Sequence, residues 1–420
     1  MIARSGRRTF VLPAAIAMAI AMAPATAFAQ AAPTYAQLLQ NAENAPQLAE
    51  AAANVARAQG LAEQARARPN PSISLLTENI IGTAPYSGLG RAETTVQYNH
   101  PIELGGKRKA RIAAGEAGVS AAEVRSRDTR IAFAYELARA YAAAEIAERR
   151  VGLAEDELEE AGAVLDATRL LVGAGREANL RSIQAESAAQ VAKAELEVAR
   201  ANRLAAYARL SAMAGADTPY ASLPESLLDK AREGFTFGTL DPTSSPAYRA
   251  AEAEVHAARL RAVSERKRAR PDITGTFGVR RLEADRAEAL VAGVSLPLNL
   301  FDRNKGNIAA ADAEVRAAEA RLPLLRNDLL GAGRAANSQI AAADARLAAA
   351  GEALETAQET YRLARIAYDS GKSPLVELLN ARHGLGEARA IVVDAEAARF
   401  DLIAQLARLQ GRTVTGDMVQ

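Results

Sequence analysis

Two long stretches of the chain carry apolar residues at helical spacing. The first runs from about Arg108 to Leu171, with Ile131 and Tyr135 on one stripe, and the second from about Gly306 to Ser370, interrupted only by Pro323 and scattered glycines. Each stretch predicts a helix of about 64 residues. At about 1.5 Å per residue, such a helix is about 100 Å long. Helices of this length without a globular core predict coiled-coil packing.

A pair of strand-like segments precedes each long helix. In both pairs every second residue faces one side, a period of two that predicts β-strands with two different faces. The residues of that side are Ile73, Leu75, Thr77, Val96, Tyr98 and Ile102 in the first pair and Ile273, Phe277, Val279, Leu290, Val294, Leu296 and Leu298 in the second. The return strands carry Pro101 and Pro297 near their ends, where a hydrogen-bond ladder cannot continue.

A further helix leads into each strand pair. These helices are predicted over about Tyr35–Arg66 and Pro246–Ala269, and each ends at an Arg-Pro motif that contains Pro69 or Pro271. Together with the prolines of the return strands, these two prolines mark the predicted strand–helix junctions.

Glycine turns end the long helices. The turns span Gly173 to Gly175 and Gly371 to Pro374, and a second helix returns from each turn. The pattern predicts two helical hairpins.

The two halves share a constant spacing, which indicates an internal duplication. Pro101 matches Pro297 and Gly175 matches Gly371, both at an offset of 196 residues. The predicted organisation is a signal peptide over 1–29, a first repeat over 30–214, an irregular connector over 215–245, a second repeat over 246–411 and a C-terminal tail over 412–420.

The first 29 residues have the layout of a secretory signal. Arg4, Arg7 and Arg8 precede an apolar run and an Ala-Phe-Ala cleavage site at 27–29, so export from the cytoplasm is expected. Only 24% of residues are charged and the net charge is +1, which argues against nucleic acid as a partner. The chain has no cysteine and three isolated histidines, so neither a metal site nor a cofactor is predicted.

Four strands cannot close a membrane-spanning barrel, because exposed strand edges are not tolerated in lipid. Several chains would have to share one barrel, and three chains with twelve strands would begin to leave an open lumen. The alternative is an ordinary soluble pair of β-hairpins that pack on the helices.

The order of elements resembles that of the TolC-like outer-membrane efflux proteins. Pro69-Asn70-Pro71, Glu78-Asn79-Ile80 and the segment Glu103 to Arg108 are most similar to the heavy-metal, cobalt-zinc-cadmium branch. The resemblance implies a mainly α chain with membrane β-structure, in which a homotrimer forms a 12-stranded β-barrel, four strands per chain, that continues into a long α-helical barrel of coiled-coil hairpins. It implies partners in outer-membrane lipid, a periplasmic adaptor (membrane fusion protein) and an inner-membrane pump of the resistance-nodulation-division class.

The function that the resemblance implies is that of an outer-membrane channel subunit of a tripartite efflux system, with divalent heavy-metal cations as cargo and a long periplasmic extension. A duct for drugs or other small solutes, a periplasmic adaptor and a structural coiled-coil protein are the alternatives. No Ser/His/Asp set, phosphate-binding glycine loop or paired-carboxylate cleft points to an enzyme.

The helical tips are the predicted functional region. The family places an acidic residue a few positions after the tip glycine, where Glu377 stands in the second half and Arg181 in the first, so opposite charges could latch neighbouring hairpins. Gate residues are therefore expected at the tips, and adaptor docking is expected at the turns. The gate residues are Arg181, Tyr368, Glu377 and Asn380, and the docking residues are Gly173, Gly175, Gly371 and Lys372.

Overall fold

A computed structural model describes residues 30–42, 45–232, 238 and 240–418. The predicted signal segment over 1–29 lies outside the described residues, as do 233–237 and 239 of the connector and 419–420 of the tail. The helices are α1 (Tyr35–Asn41), α2 (Pro46–Arg66), α3 (Lys107–Gly173), α4 (Asn179–Ala214), α5 (Leu227–Arg232), α6 (Pro246–Arg268), α7 (Lys305–Asp369) and α8 (Leu375–Gln410). The strands are β1 (Ser72–Glu78), β2 (Glu93–Ile102), β3 (Ile273–Leu282) and β4 (Ala287–Ser295).

The long helices α3 and α7 contain 67 and 65 residues. At 1.5 Å per residue each is about 100 Å long, as the spacing of apolar residues predicts. Each folds back on the helix that follows it, α3 on α4 and α7 on α8, and α3 also packs against α8. In the part of the chain that the structure covers, none of the helices combines the length and apolar character needed to cross a membrane.

The single helix predicted over Tyr35–Arg66 is wrong, because two helices occupy this segment. Thr34 begins α1 with a capping box that involves Gln37, and α2 begins separately at Pro46. Proline suits the first position of a helix because its missing N–H would have no intrahelical partner there. Pro46 therefore starts a new helix within a segment whose residues otherwise favour a continuous helix.

The four strands form one antiparallel sheet in the order β1-β2-β3-β4. The prediction that Leu296 and Leu298 belong to the last strand is wrong, because β4 ends at Ser295. Its partner β3 begins at Ile273, and Ser295 already pairs with Thr274. Only one residue of β3 therefore lies beyond the last pair of the ladder. The proline that follows, Pro297, has no N–H with which to extend the ladder.

The main hydrophobic core lies where the connector crosses the helical body. Tyr35, Tyr141, Leu210 and Phe400 from four helices meet there. Leu227 of α5 is fully buried in the same core. The connector predicted over 215–245 is thus not wholly irregular, since its short helix α5 packs into the core.

Candidate functional site

The two helical tips are built by the same backbone hydrogen bonds. In the first, the amides of Gly175 and Arg176 donate to the carbonyls of Val172 and Leu171, at 3.0 and 2.9 Å. In the second, the amides of Gly371 and Lys372 donate to the carbonyls of Tyr368 and Ala367, both at 2.9 Å. Gly175 and Gly371 adopt φ of 72° and 71°, a left-handed conformation that favours glycine at the end of a helix.

Gly173 differs from these two glycines because it is the last residue of α3 and has no positive φ. A Cβ at this position would meet no atom within 4 Å. Only two of the three tip glycines are therefore required by backbone geometry.

The charged residues predicted at the tips contact their own turns rather than each other. Arg181 of α4 lies 3.8 Å from Glu177, and the exposed Glu377 in the first turn of α8 accepts a hydrogen bond from Ser373. Among the described residues, no ion pair joins Arg181 to Glu377 within one chain. Asn380 is exposed one turn further along α8.

Tyr368 lies in a small apolar cluster that joins the two hairpins. We call it the tip cluster, and its buried members are Val164 of α3, Ala185 of α4, and Leu375 and Leu378 of α8. Tyr368 and Tyr361 of α7 pack against it. The hydroxyl oxygen of Tyr368 is buried without a hydrogen-bond partner, so the hydrogen-bonding capacity of this side chain is not satisfied within one chain.

An open groove of about 390 Å³ lies beside the tip cluster. Its lining includes the acidic side chains of Asp156, Glu159 and Glu160 from α3 and of Asp369 from α7, with the guanidinium of Arg365 as the counter-charge. Burial, and then the Glu160 carboxylate, raise the pKa of Tyr361 above its ordinary value.

Above the tip, a row of ion pairs connects α3 to α8, and we call this row the seam. It joins the first hairpin to the second over residues 139–160 of α3 and 382–401 of α8. Its pairs are Arg139–Asp401 at 2.8 Å, Arg149–Glu396 at 2.6 Å, Arg150–Asp394, Glu157–Arg382 at 3.8 Å and Glu160–Arg389 at 3.7 Å. Arg382 is only 7% exposed, and its Nε atom has no hydrogen-bond partner.

Within the seam, between Arg139 and Arg149, Glu145 of α3 fixes the connector to the helices. This carboxylate is 7% exposed and accepts hydrogen bonds from Ser226 Oγ at 2.6 Å and from the amides of Leu227 and Leu228 at 2.8 and 3.2 Å. Arg149 donates to Glu145 at 2.9 Å and also contacts Asp229 and Glu396. Burial disfavours the charged guanidinium, but these three carboxylates outweigh it and raise the pKa of Arg149.

The sheet has one apolar and one polar face. The apolar face is formed by Ile73, Leu75, Val96, Tyr98, Phe277, Val279, Leu290 and Val294, and these side chains are 42% to 77% exposed. The polar face carries the alternate residues, among them Ser74, Thr95, Asn99 and Arg280. An apolar face left this open in the single chain is typical of a surface that faces lipid or another chain.

The junction between helices and sheet is held by charge and backbone contacts. Lys107 pairs with Asp272 at 2.8 Å, across the two halves of the chain, and Arg111 pairs with Glu103. Of the four predicted junction prolines, Pro69 lies between α2 and β1, Pro271 between α6 and β3, and Pro297 after β4. The fourth, Pro101, lies within β2 and pairs with Thr274 of β3. Because Ile102 still pairs with Ile273, the prediction that the ladder ends at Pro101 is wrong.

Within the described residues, no group of three or more His, Cys, Asp or Glu side chains could hold a metal ion. His383 contacts Glu387 on the exposed side of α8, and His100 stacks on Tyr98 in the sheet.

Paired helical hairpins joined to an amphipathic four-stranded sheet define a TolC-like channel fold. The chain belongs to the outer membrane efflux protein family, whose model matches residues 37–216 and again 243–412. Family and fold make it an outer-membrane protein with a periplasmic helical extension.

Three relatives are heavy-metal resistance proteins. The chain is 41% identical over 392 residues to the nickel-cobalt-cadmium resistance protein NccC of Alcaligenes xylosoxydans, covering 93% of this chain and 89% of NccC. It is 42% identical over 339 residues to the nickel and cobalt resistance protein CnrC of Cupriavidus metallidurans, covering 79% of each. It is 29% identical to the cobalt-zinc-cadmium resistance protein CzcC of the same organism, covering 87% of this chain and 86% of CzcC.

Two solved structures show the same fold at low sequence identity. CusC superposes with a TM-score of 0.74 at 17% identity over 91% of this chain and 92% of CusC. The outer-membrane channel OprN superposes with a TM-score of 0.76 at 19% identity over 91% of each chain. The expected TolC-like fold and the heavy-metal branch of the family are both confirmed.

The turns were predictable from the sequence, but the seam and the role of Glu145 in fixing the connector were not. Arg149, Glu157 and Arg382 lie on helices whose relative register depends on tertiary packing, so their pairing leaves no local signal. A partial signal existed for Glu145, which is an acidic residue in the most alanine-rich and apolar part of α3.

Proposed function

We propose that this chain is the exit channel of a tripartite efflux system that exports divalent heavy-metal cations across the outer membrane. The proposed cargo is supported by the 41% identity over 93% of the chain with a nickel-cobalt-cadmium resistance protein. With no metal cluster among the described residues, the subunit would conduct the ions rather than select them by coordination.

The channel would be a homotrimer. One chain supplies four strands, and β1 and β4 each leave one edge unpaired. Unpaired edges are not tolerated in lipid, and three copies would close a barrel of twelve strands with the apolar face outward. The two-repeat organisation over 30–214 and 246–411 belongs to this proposal, supported by the double match of the family model and the matching tip turns.

The seam would hold the channel closed, and breaking its ion pairs would allow the channel to open. Arg139–Asp401 and Arg150–Asp394 are its most exposed pairs, and each stabilises the closed arrangement by about 1 kcal/mol or less. The tip cluster adds only four buried side chains. Between the main core and the turns, the hairpin α7–α8 could thus separate from α3–α4 without unfolding either one.

Gate residues at the tip would act between chains. Because Arg181 and Glu377 do not meet within one chain, a latch between them requires a neighbouring copy. Tyr368 and Asn380 would line the same region, and the turns with Gly173, Gly175, Gly371 and Lys372 would receive the adaptor, which connects to a resistance-nodulation-division pump. Replacing Arg181 and Glu377 together by Ala should raise the ion conductance of the purified channel. Alanine at the exposed mid-helix pair Glu197 and Arg200 is the matched control, and equal conductance in both variants would exclude the latch.

Deleting the gene in its source bacterium tests the cargo. We expect cells without it to accumulate more Co²⁺, Ni²⁺ or Cd²⁺ and to regain tolerance when the chain is supplied again. Unchanged metal accumulation together with increased sensitivity to drugs would instead favour the duct for other small solutes.

A further inference from the structure

Three charged side chains lie on the polar face of the sheet, all at the end farthest from the helices. Glu78 is the last residue of β1 and pairs directly with Glu93, the first residue of β2. Arg280 lies on β3, opposite Thr95. Every other strand residue on this face is uncharged.

Arg280 occupies the space between the two carboxylates. Its Nη1 atom lies 2.9 Å from Glu93 Oε2 and its Nη2 atom 3.6 Å from Glu78 Oε2. Its Nε donates to Thr95 Oγ1 at 3.0 Å, and Thr95 is fully buried. One guanidinium thus bridges three adjacent strands.

Without this guanidinium, two carboxylates would face each other directly across the β1–β2 ladder. Like charges in such a pair repel each other. Carboxylate oxygens are also ligands for divalent cations, and a site with two of them attracts such ions more strongly than a site with one. Arg280 supplies a fixed positive charge between these two carboxylates.

We propose that Arg280 is a specificity-determining residue of the channel, which keeps the outer mouth from retaining the cations that pass through it. The inference rests on the proposed function, in which the polar face lines a lumen and the cargo is a divalent cation. Three copies would then place three such clusters around the exit. Conduction requires that an ion bind weakly enough to leave, and Arg280 would ensure this at the outermost charged cluster of the strands on this face.

Block of the purified channel by Co²⁺ tests the proposal. The channel is inserted in a planar bilayer and Co²⁺ is added on the side of the sheet. In Arg280→Gln we expect the concentration that halves the conductance to fall by about tenfold or more, because six carboxylates then surround the lumen without a counter-charge. The double variant Arg280→Gln/Glu93→Gln should return most of the way to the wild-type value.

Arg281→Gln is the matched control. Arg281 is the next residue along β3 and lies on the opposite face, where its Nε atom is 2.6 Å from Glu283. The same substitution there should leave the Co²⁺ block unchanged. Equal half-blocking concentrations in wild type, Arg280→Gln and Arg281→Gln would overturn the proposal.

A second measurement applies if Arg280→Gln does not assemble. Glu78→Gln/Glu93→Gln changes the cluster from a net charge of −1 to +1 and should lower the ratio of cation to anion permeability by about twofold or more. An unchanged ratio would refute the role of the cluster. A folded wild-type protein that never conducts would refute the proposed function itself, which separates the two failures.

Discussion

Replacing Glu145 by Ala tests how firmly the connector is fixed to the helical body. The substitution removes the acceptor of four donors, namely Ser226 Oγ, the amides of Leu227 and Leu228, and the Arg149 guanidinium. Arg149 keeps another partner, because it still contacts Glu396, and Ser226 Oγ still accepts a hydrogen bond from the amide of Asp229 although it loses the acceptor of its own proton.

The two amides of α5 determine the size of the effect. Each donates to a buried, ionised carboxylate, and such hydrogen bonds contribute about 1.5–3 kcal/mol each. Losing both should destabilise the anchored connector by about 3–6 kcal/mol. Since every 1.4 kcal/mol is a factor of ten, local opening should become at least about 100-fold more frequent.

Hydrogen exchange at the amides of Leu227 and Leu228 measures this opening directly. Limited digestion with trypsin gives a second readout, because Lys230 and Arg232 follow in α5. Both amide exchange and cleavage should accelerate in Glu145→Ala, while the long helices keep their protection.

Glu155→Ala is the control for removing a carboxylate from α3. Glu155 is 51% exposed and lies 3.1 Å from Arg200, so its loss should cost about 1 kcal/mol or less. If amide protection in α5 were the same in both variants, the connector would be held by apolar packing alone and the reasoning would be refuted.

Further substitutions examine the tip. Gly371→Ala should destabilise the turn by about 1 kcal/mol because its φ is 71°, whereas Gly173→Ala should be neutral or slightly stabilising; a reversed order in thermal unfolding would contradict the helix-end geometry. Leu375→Ala removes a fully buried side chain of the tip cluster and should cost about 2–5 kcal/mol, with faster proteolysis at the tip. Val376→Ala, at a 43% exposed position of the same helix, should cost less than half as much, and an equal loss would show that the tip cluster does not stabilise the hairpins.

The periodic elements were predictable because their signal is local. Apolar spacing alone gave both long helices, which the structure begins and ends within two residues of the predicted bounds, and alternation gave all four strands. The errors lie where one residue overrides a pattern, as where Pro46 starts a new helix inside a helical stretch, or where a partner strand ends, as it does opposite Ser295.

Contacts between the hairpins were not predictable from the pattern. The pairing of Glu157 with Arg382 joins residues 225 positions apart, and their contact depends on how α8 is rotated against α3. From the sequence alone, both residues look like ordinary charged residues on the exposed face of a helix. The tip residues Arg181 and Glu377 were found through a motif, but the motif carries no information about which charge each one meets.

Single-channel conductance of the purified protein in planar bilayers tests the central claim most directly. The wild type should insert and show discrete conductance steps, and Glu157→Ala/Glu160→Ala should show larger steps because two pairs of the seam are lost. A folded wild-type protein without conductance steps, or two proteins with identical conductance, would contradict a channel whose α3–α8 seam holds it closed.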